Sequence, residues 1–310
     1  MKKSCIIYGG AGFIGSHIAD DLLARNFKVT VFDKLNASRK NVEHILDKID
    51  FIEGDFNNKV DINKSSKKAD YVVHLVSSTL PANSNLNPFY DVESNLLSTL
   101  NLLESCVKNN IKKVIFISSG GTVYGNPLKL PIKEDHPTNP MSSYGIIKLS
   151  IEKYLGLYRN LKRLNYKILR FSNPFGERQN PKLRQGLITH LLYRIKNKMP
   201  IEIWGDGKTI RDYFYIKDGA KSVYKSIIDN SQNYIYNISS SKGLSINQIL
   251  EKFRRILKLN FKVKYLESRR FDVSVNILDN RLAAKYLGWE TETDFSTALK
   301  NTWRYILDYE

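Results

Sequence analysis

Tyr144 and Lys148 stand four residues apart in SSYGIIKLSIEKYL (142–155), a spacing that brings both side chains to one face of a helix. A phenol ionises near pH 10; to stand ready as a base at neutrality it must become more acidic by about 3, worth about 4 kcal/mol. A neighbouring ammonium shifts it in that direction, helped by a cationic nicotinamide ring. Such a pair suits removal of a proton from an alcohol that is losing hydride, and hydride needs an acceptor.

Gly9, Gly12 and Gly15 in YGGAGFIGSH (8–17) supply a place for one. This G-x-x-G-x-x-G follows a short apolar run and opens a segment of helical period. There, glycines permit a tight turn and let a pyrophosphate approach a helix N-terminus, where free N–H groups and the helix dipole favour anions. Asp33 closes the next apolar run about 20 residues on, where a carboxylate accepts from both hydroxyls of a ribose and repels a 2′-phosphate. The pattern favours NAD over NADP, with Lys34, Arg39 and Lys40 as basic neighbours that oppose the choice. Lys148 is placed to donate to the nicotinamide ribose. Asp55 in EGDF reads as an adenine-side contact or equally as a turn carboxylate.

Alternating elements must position these groups. β-branched runs at 4–8, 28–32, 51–53, 71–76, 114–118, 167–171 and 235–238 alternate with helical stretches at 13–26, 88–109 and 143–164. That is the pattern of an α/β, doubly wound parallel Rossmann sheet with crossover helices. Beyond Asn173 the alternation weakens, prolines and WGDGK mark loops, and helices at 247–258 and 297–309 predict a smaller C-terminal α/β substrate lobe. The expected division is 1–172 for the NAD-binding domain, with about 213–240 returning to it, and 173–310 mainly for the substrate lobe.

A chain of 310 residues with 42% hydrophobic and 25% charged residues is long enough for a sizeable core. Its net charge of +17 raises polyanions as partners, but the lysines are scattered rather than aligned on one helix, which reads as a solvated basic surface and not a nucleic-acid site. Cys5 and Cys106, without partners at metal or redox spacing, read as core thiols of a reducing, cytoplasmic compartment. The apolar run after the first lysines is too short for a signal peptide, and no run approaches a membrane span. The five histidines show no metal-ligand spacing, so no metal is expected.

Over nearly its whole length the chain resembles the extended short-chain dehydrogenase/reductase superfamily, in its NAD-dependent nucleotide-sugar epimerase/dehydratase group and on the side of the UDP-hexose 4-epimerases. The resemblance is carried by YGGAGFIG, Asp33, GDF (54–56), HLVSS (74–78), Asn95, SSGGTVYG (118–125), SYGIIK, LRFSNPFG (169–176), WGDG, RDYFYIKD and KYLGWE. It implies that NAD is held by Gly9, Gly12, Phe13, Ile14, Gly15, Asp33, Asp55, Phe56, Leu75, Ser77, Asn95, Phe171 and the Tyr144–Lys148 pair. It also implies that Asn173, Gly186 and Leu187 approach the nucleotide diphosphate, that Trp204 stacks on the base, and that Arg211 and Arg269 pair the phosphates. Asp272 joins the substrate contacts, and Asn276 gates space at the sugar C2, where its modest side chain admits an N-acetyl group. By residue type alone, Arg211 and Arg269 read as solvated and Trp204 as core.

Relatives that remove water or carbon dioxide carry an acid between the strand and VYG; here that interval is GGT, which favours C4 epimerisation through a 4-keto sugar. Many relatives place a catalytic Ser or Thr where Gly120 stands, leaving Ser119, Thr122 or a water as the donor to the sugar oxygen. A reductase of nucleotide-linked 4-ketosugars shares cradle and pair but consumes its cofactor. A non-catalytic NAD-sensing or RNA-binding member of the fold is opposed by the intact pair and by the scattered charge. The resemblance further implies a homodimer joined through the 88–109 and Tyr144-bearing helices.

Overall fold

Successive residues of the first strand enter different cores: Cys5 and Ile7 on one face of the sheet, Ile6 and Tyr8 on the other. Two-sided burial is what a parallel sheet covered by crossover helices imposes. The computed structural model, which describes residues 2–79, 83–183, 185–267 and 273–309, builds that sheet from seven strands. They are β1 (Ser4–Tyr8), β2 (Lys28–Asp33), β3 (Asp50–Glu53), β4 (Tyr71–His74), β5 (Lys113–Ser119), β6 (Tyr166–Phe171) and the strand Ile235–Ile238. All pair in parallel, in the order Ile235–Ile238, β6, β5, β4, β1, β2, β3. This is the doubly wound sheet expected from the sequence, and its order reverses between β1 and β4, where such sheets open a crevice beyond the strand ends.

Helix α1 (Phe13–Ala24) and the helix Ile216–Ile228 cover one face through Ile18, Leu22, Val223 and Ile227. The other face receives α2 (Lys59–Ser66), α4 (Ser98–Lys108) and α5 (Ser143–Lys162) through Ile62, Leu102, Cys106, Ile147 and Ile151. A third core gathers Ile188, Leu192, Ile203, Tyr213, Phe253 and Leu299 around a smaller sheet. In that sheet Ile210–Tyr215 pairs with Gly243–Ser245, Val275–Asn276 and Asn173–Phe175. Both cysteines are buried, and burial pushes each thiol well above its usual range. Among the described residues no helix is long and apolar enough to cross a membrane.

Two elements differ from the sequence reading at the site itself. The strand predicted over 71–76 ends at His74, so that Leu75, Ser77 and Thr79 turn into a cleft. The helix predicted over 88–109 is α3 (Pro88–Asp91) and α4 joined by a wide π turn, Val92–Leu97. That turn carries Asn95, whose Oδ1 accepts the Ser78 N–H at 2.7 Å and so ties the turn to the cleft wall. Such interruptions recur at functional sites.

His74 ends β4 inside the core, with Nε2 at 2.9 Å from Thr99 Oγ1 and its ring stacked 5.2 Å from Phe56. Burial, then the nearby Lys148 charge, pushes its pKa down to about 3. The folded protein therefore keeps His74 neutral while the unfolded chain takes up a proton below about pH 6.5, so stability present at neutrality is lost as pH falls. By pH 5 the loss is about 2 kcal/mol. Chemical denaturation at pH 7 and pH 5 should show His74→Gln losing about 2 kcal/mol less than the parent on acidification; equal losses would contradict this.

Candidate active site

The turn after β1 is closed by its glycines. Gly9 takes φ +83°, and a Cβ on Gly15 would lie 2.4 Å from the Gly9 carbonyl oxygen, so α1 meets the turn closer than any side chain permits. The N-terminus of α1 has no side-chain cap and faces the cleft with its glycines, leaving first-turn N–H groups for an anion. Asp33 Oδ2 accepts the Ala11 N–H at 2.9 Å and Oδ1 the Lys34 N–H at 2.9 Å. The carboxylate thus braces the loop and retains lone pairs for a ribose. Arg39 is turned aside, paired with Glu53 at 3.2 Å and stacked 4.5 Å over Phe51, and Lys40 lies 5.4 Å from the Tyr309 ring. Two of the three neighbouring basic groups, Arg39 and Lys40, thus have partners away from Asp33. A cradle only glycine fits, an open helix N-terminus and an acid at the second strand together suit a dinucleotide with a free ribose.

The cleft, of about 910 Å3, runs from this loop across the ends of β4 and β5 to the smaller lobe. Gly9, Gly12, Phe13, Ile14, Gly15, Leu75, Ser77 and Phe171 line it as expected cofactor contacts, as do Ser119, Thr122, Tyr144 and Lys148. Asn173, Gly186, Leu187, Trp204 and Arg211 line its far part. Gly186 precedes the helix Leu187–Lys196, whose N-terminus also lacks a side-chain cap. Trp204 is half exposed at the end of its strand, Asn173 donates to the Asp212 carbonyl at 2.9 Å, and an Arg211 Nη1 donates to the Ile210 carbonyl at 2.9 Å.

Other expected residues lie outside the cleft lining. Asp55 is exposed and accepts from the Asn57 backbone and side chain, as a turn carboxylate does. The Phe56 ring is buried against Tyr8 and His74. Asn276, 1% exposed, donates to the Gly120 carbonyl at 3.2 Å from behind the turn, and its buried Oδ1 has no hydrogen-bond partner among the described residues. Arg269 and Asp272 lie outside the described residues.

Sequence reasoning missed Asn41, Asp91 and Arg178. Asn41 lines the cleft and donates to the Ala11 carbonyl at 3.1 Å. Arg178 lines it too, held at 2.7 Å by Asp20 of α1. Asp91 is a buried carboxylate that accepts from Thr79 Oγ1, Asn95 Nδ2 and Ser143 Oγ, fastening the cleft wall to the first turn of α5. Its place at the π turn is not visible in local sequence.

The first turn of α5 is fully accounted for: Ser142 caps it, and the Ser143 and Tyr144 N–H groups donate to Asn85 Oδ1 and Ser84 Oγ. Tyr144 and Lys148 then project together, the ammonium 5.6 Å from the phenol ring centroid and donating to the Ile117 carbonyl at 3.0 Å. Burial pushes Tyr144 up to about 12, with Asp91 adding to it. Burial pulls Lys148 down to about 8, opposed by Glu152 and Asp91. On the sequence reading the lysine, helped by a cationic nicotinamide, makes Tyr144 acidic; within the protein alone desolvation outweighs the lysine.

Two hydroxyls were candidates to face the sugar. A Cβ on Gly120 would sit 2.3 Å from Leu278 Cδ1, so a side chain there would point into the core rather than the cleft. Thr122 Oγ1 leans back on the Ser119 carbonyl at 3.4 Å. Ser119 Oγ borders the cleft with no internal hydrogen bond among the described residues.

Residues 5–239 match the model of the NAD dependent epimerase/dehydratase family. A Methanocaldococcus jannaschii protein named provisionally as a UDP-glucose 4-epimerase is 39% identical over 297 residues, 95% of each chain. Among solved structures, the UDP-glucose 4-epimerase of Thermotoga maritima with UDP-glucose is 31% identical over 98% of this chain and 99% of its own, with a TM-score of 0.93. The UDP-N-acetylglucosamine 4-epimerase of Methanobrevibacter ruminantium, in complex with UDP-N-acetylmuramic acid, is 32% identical over 99% of both chains, with a TM-score of 0.93.

Because Leu278 fills the space beside Gly120, Gly120→Ser should overpack the turn and cost about 1–3 kcal/mol in urea denaturation without supplying a second hydroxyl to the cleft. An unchanged unfolding midpoint would contradict the assignment.

Proposed function

The chain belongs to the NAD-dependent epimerase/dehydratase family, and on that premise we propose that it is a UDP-hexose 4-epimerase acting on UDP-glucose and UDP-galactose or their N-acetyl forms. The observation that carries the reading is local: the turn after β5 offers the cleft Ser119, Gly121 and Thr122 beside Tyr144 and Lys148, with no carboxylate in that interval to remove water or carbon dioxide.

NAD held here would supply a hydride acceptor for the sugar C4 and, in reverse, a donor to the opposite ring face. Tyr144 takes the C4 hydroxyl proton, holds it, and gives it back. Lys148 supplies the positive charge that stabilises the phenolate, and Ser119 donates a hydrogen bond to the C4 oxygen in both the alcohol and the ketone. The glycine cradle and Asp33 hold the dinucleotide. The open end of the Leu187–Lys196 helix and Arg211 meet the diphosphate, and Trp204 gives the uracil a face. Asn276, withdrawn behind the turn, puts no bulk into the cleft, which supports admission of an N-acetyl group at the sugar C2. The Rossmann sheet with the returning 216–238 segment is the cofactor domain and the smaller sheet the substrate lobe. Two buried thiols fit a reducing, cytoplasmic setting.

A homodimer is the further proposal. Phe89, Leu97, Ile146, Leu157 and Leu161 are large apolar side chains left at least 45% exposed on the α3–α4 and α5 surfaces, a patch that a second copy would cover.

Incubation with UDP-glucose, UDP-galactose and their N-acetyl forms, with no cofactor added, should give product of unchanged mass and inverted C4. Turnover only after a ketosugar and NAD(P)H are supplied would make the protein a reductase, and rejection of the acetylated sugars would remove the C2 assignment. Tyr144→Phe and Ser119→Ala should each lower kcat, the former by about a thousandfold, with the fold intact. Light scattering should give twice 35.7 kDa for the parent and 35.7 kDa for Leu157→Arg/Leu161→Arg; a monomeric parent would refute the dimer.

A further inference from the structure

Glu152 lies one helical turn beyond Lys148, so residues 144, 148 and 152 form one row on the inward face of α5. Its carboxylate is buried. Oε1 accepts from Ser118 Oγ at 2.5 Å, and Arg170 grips both oxygens, with Nε at 3.1 Å and Nη2 at 2.6 Å. Arg170 is itself buried, its guanidinium 4.7 Å over the Tyr124 ring and its Nη1 donating to the Glu134 carbonyl at 3.3 Å. A buried ion pair of this kind seldom adds net stability, because an apolar pair of similar volume does as well. Its position points to another role. Ser118, which fastens Glu152, directly follows Ile117, whose carbonyl fastens the Lys148 ammonium. Two consecutive residues of β5 therefore set the carboxylate and the ammonium at a fixed offset, without direct contact between them.

We infer that Glu152 is a positioning residue for the proton-handling pair: clamped by Ser118 and Arg170, it keeps the buried Lys148 ammonium charged while leaving its N–H groups for Ile117, the Tyr144 phenolate and the ribose. The inference rests on the reading of Tyr144 and Lys148 as that pair. The other groups around the ammonium are Asp91 from the α3 side, the neutral His74 of β4 and the face of Phe116 at 4.8 Å. Around the carboxylate stand Arg170, Ser118, Tyr124 and Tyr166. Glu152 is the foremost of the groups that hold Lys148 up against its burial.

Lys148 is charged below its pKa, so removing the carboxylate should lower that pKa and bring the alkaline fall in activity to lower pH. The test is the pH profile of kcat and KM for the parent, Glu152→Gln, Glu152→Asp, Lys148→Met and the double variant Glu152→Met/Arg170→Met. The double variant removes the charge without leaving Arg170 unpaired and so covers a Glu152→Gln protein that fails to fold. Expected for Glu152→Gln is an alkaline limb about one pH unit lower and kcat about fivefold lower at pH 8, with KM within about twofold. The double variant should move the same way, and Glu152→Asp should restore the limb. A folded single or double variant with its limb where the parent has it overturns the inference. Full turnover by Lys148→Met would overturn the catalytic reading itself, a separate result.

Discussion

Taking Tyr144 and Lys148 out of water moves each in the wrong direction for base catalysis: the phenol up to about 12, the ammonium down to about 8. Much of the surrounding architecture answers that single cost. Glu152 and Asp91 hold the ammonium charged, Ile117 gives it a fixed acceptor, and the remaining positive charge needed to make the phenol a base has to arrive with the nicotinamide ring. Such a site idles until loaded, which is chemically sensible, since a phenolate made by the protein alone would be free to react at the wrong time.

A second demand is closeness. The α1 N-terminus meets the β1 turn where a Cβ on Gly15 would collide with the Gly9 carbonyl, and Asp33 locks the same turn through Ala11. The smaller lobe is fastened beside it by Asp212, a fully buried carboxylate that accepts from Ser172, Ser240, Ser241 and the Leu278 N–H. Leu278 in turn presses on Gly120, and Asn276 reaches the Gly120 carbonyl, so the substrate lobe backs the very turn that presents Ser119. The glycine turn, the Tyr144–Lys148 pair and the turn bearing Ser119 are thereby each braced by residues far away in the chain.

Much of this was legible in the sequence because it is local. The first strand and the strand 235–238 fall where their apolar runs predict, the glycines and the Tyr144–Lys148 pair converge on one cleft, and Asp33 braces the glycine turn from beside it. What escaped is contextual. The π turn at Val92–Leu97 has ordinary helical composition, and its widening shows only where Asn95 meets Ser78. Asp91, Arg178 and Glu152 sit in amphipathic helices or a loop where charge normally means solvent, and only tertiary packing buries or engages them. The strand Ile201–Trp204 alternates, but over only four residues, and Ile210–Tyr215 ends in four successive buried residues that break the alternation. That a side chain at Gly120 would meet the core depends on Leu278, more than 150 residues away in the chain.

The central claim is that hydride leaves C4 and returns to the same carbon within one cofactor-bound complex. UDP-glucose deuterated at C4, incubated with the protein and no added cofactor, tests it most directly by NMR and mass analysis of the UDP-galactose formed. The account predicts full retention of deuterium at C4 with inverted configuration, unaffected by unlabelled NADH in the medium. Loss of the label to solvent, or its appearance in the added nicotinamide pool, would contradict it.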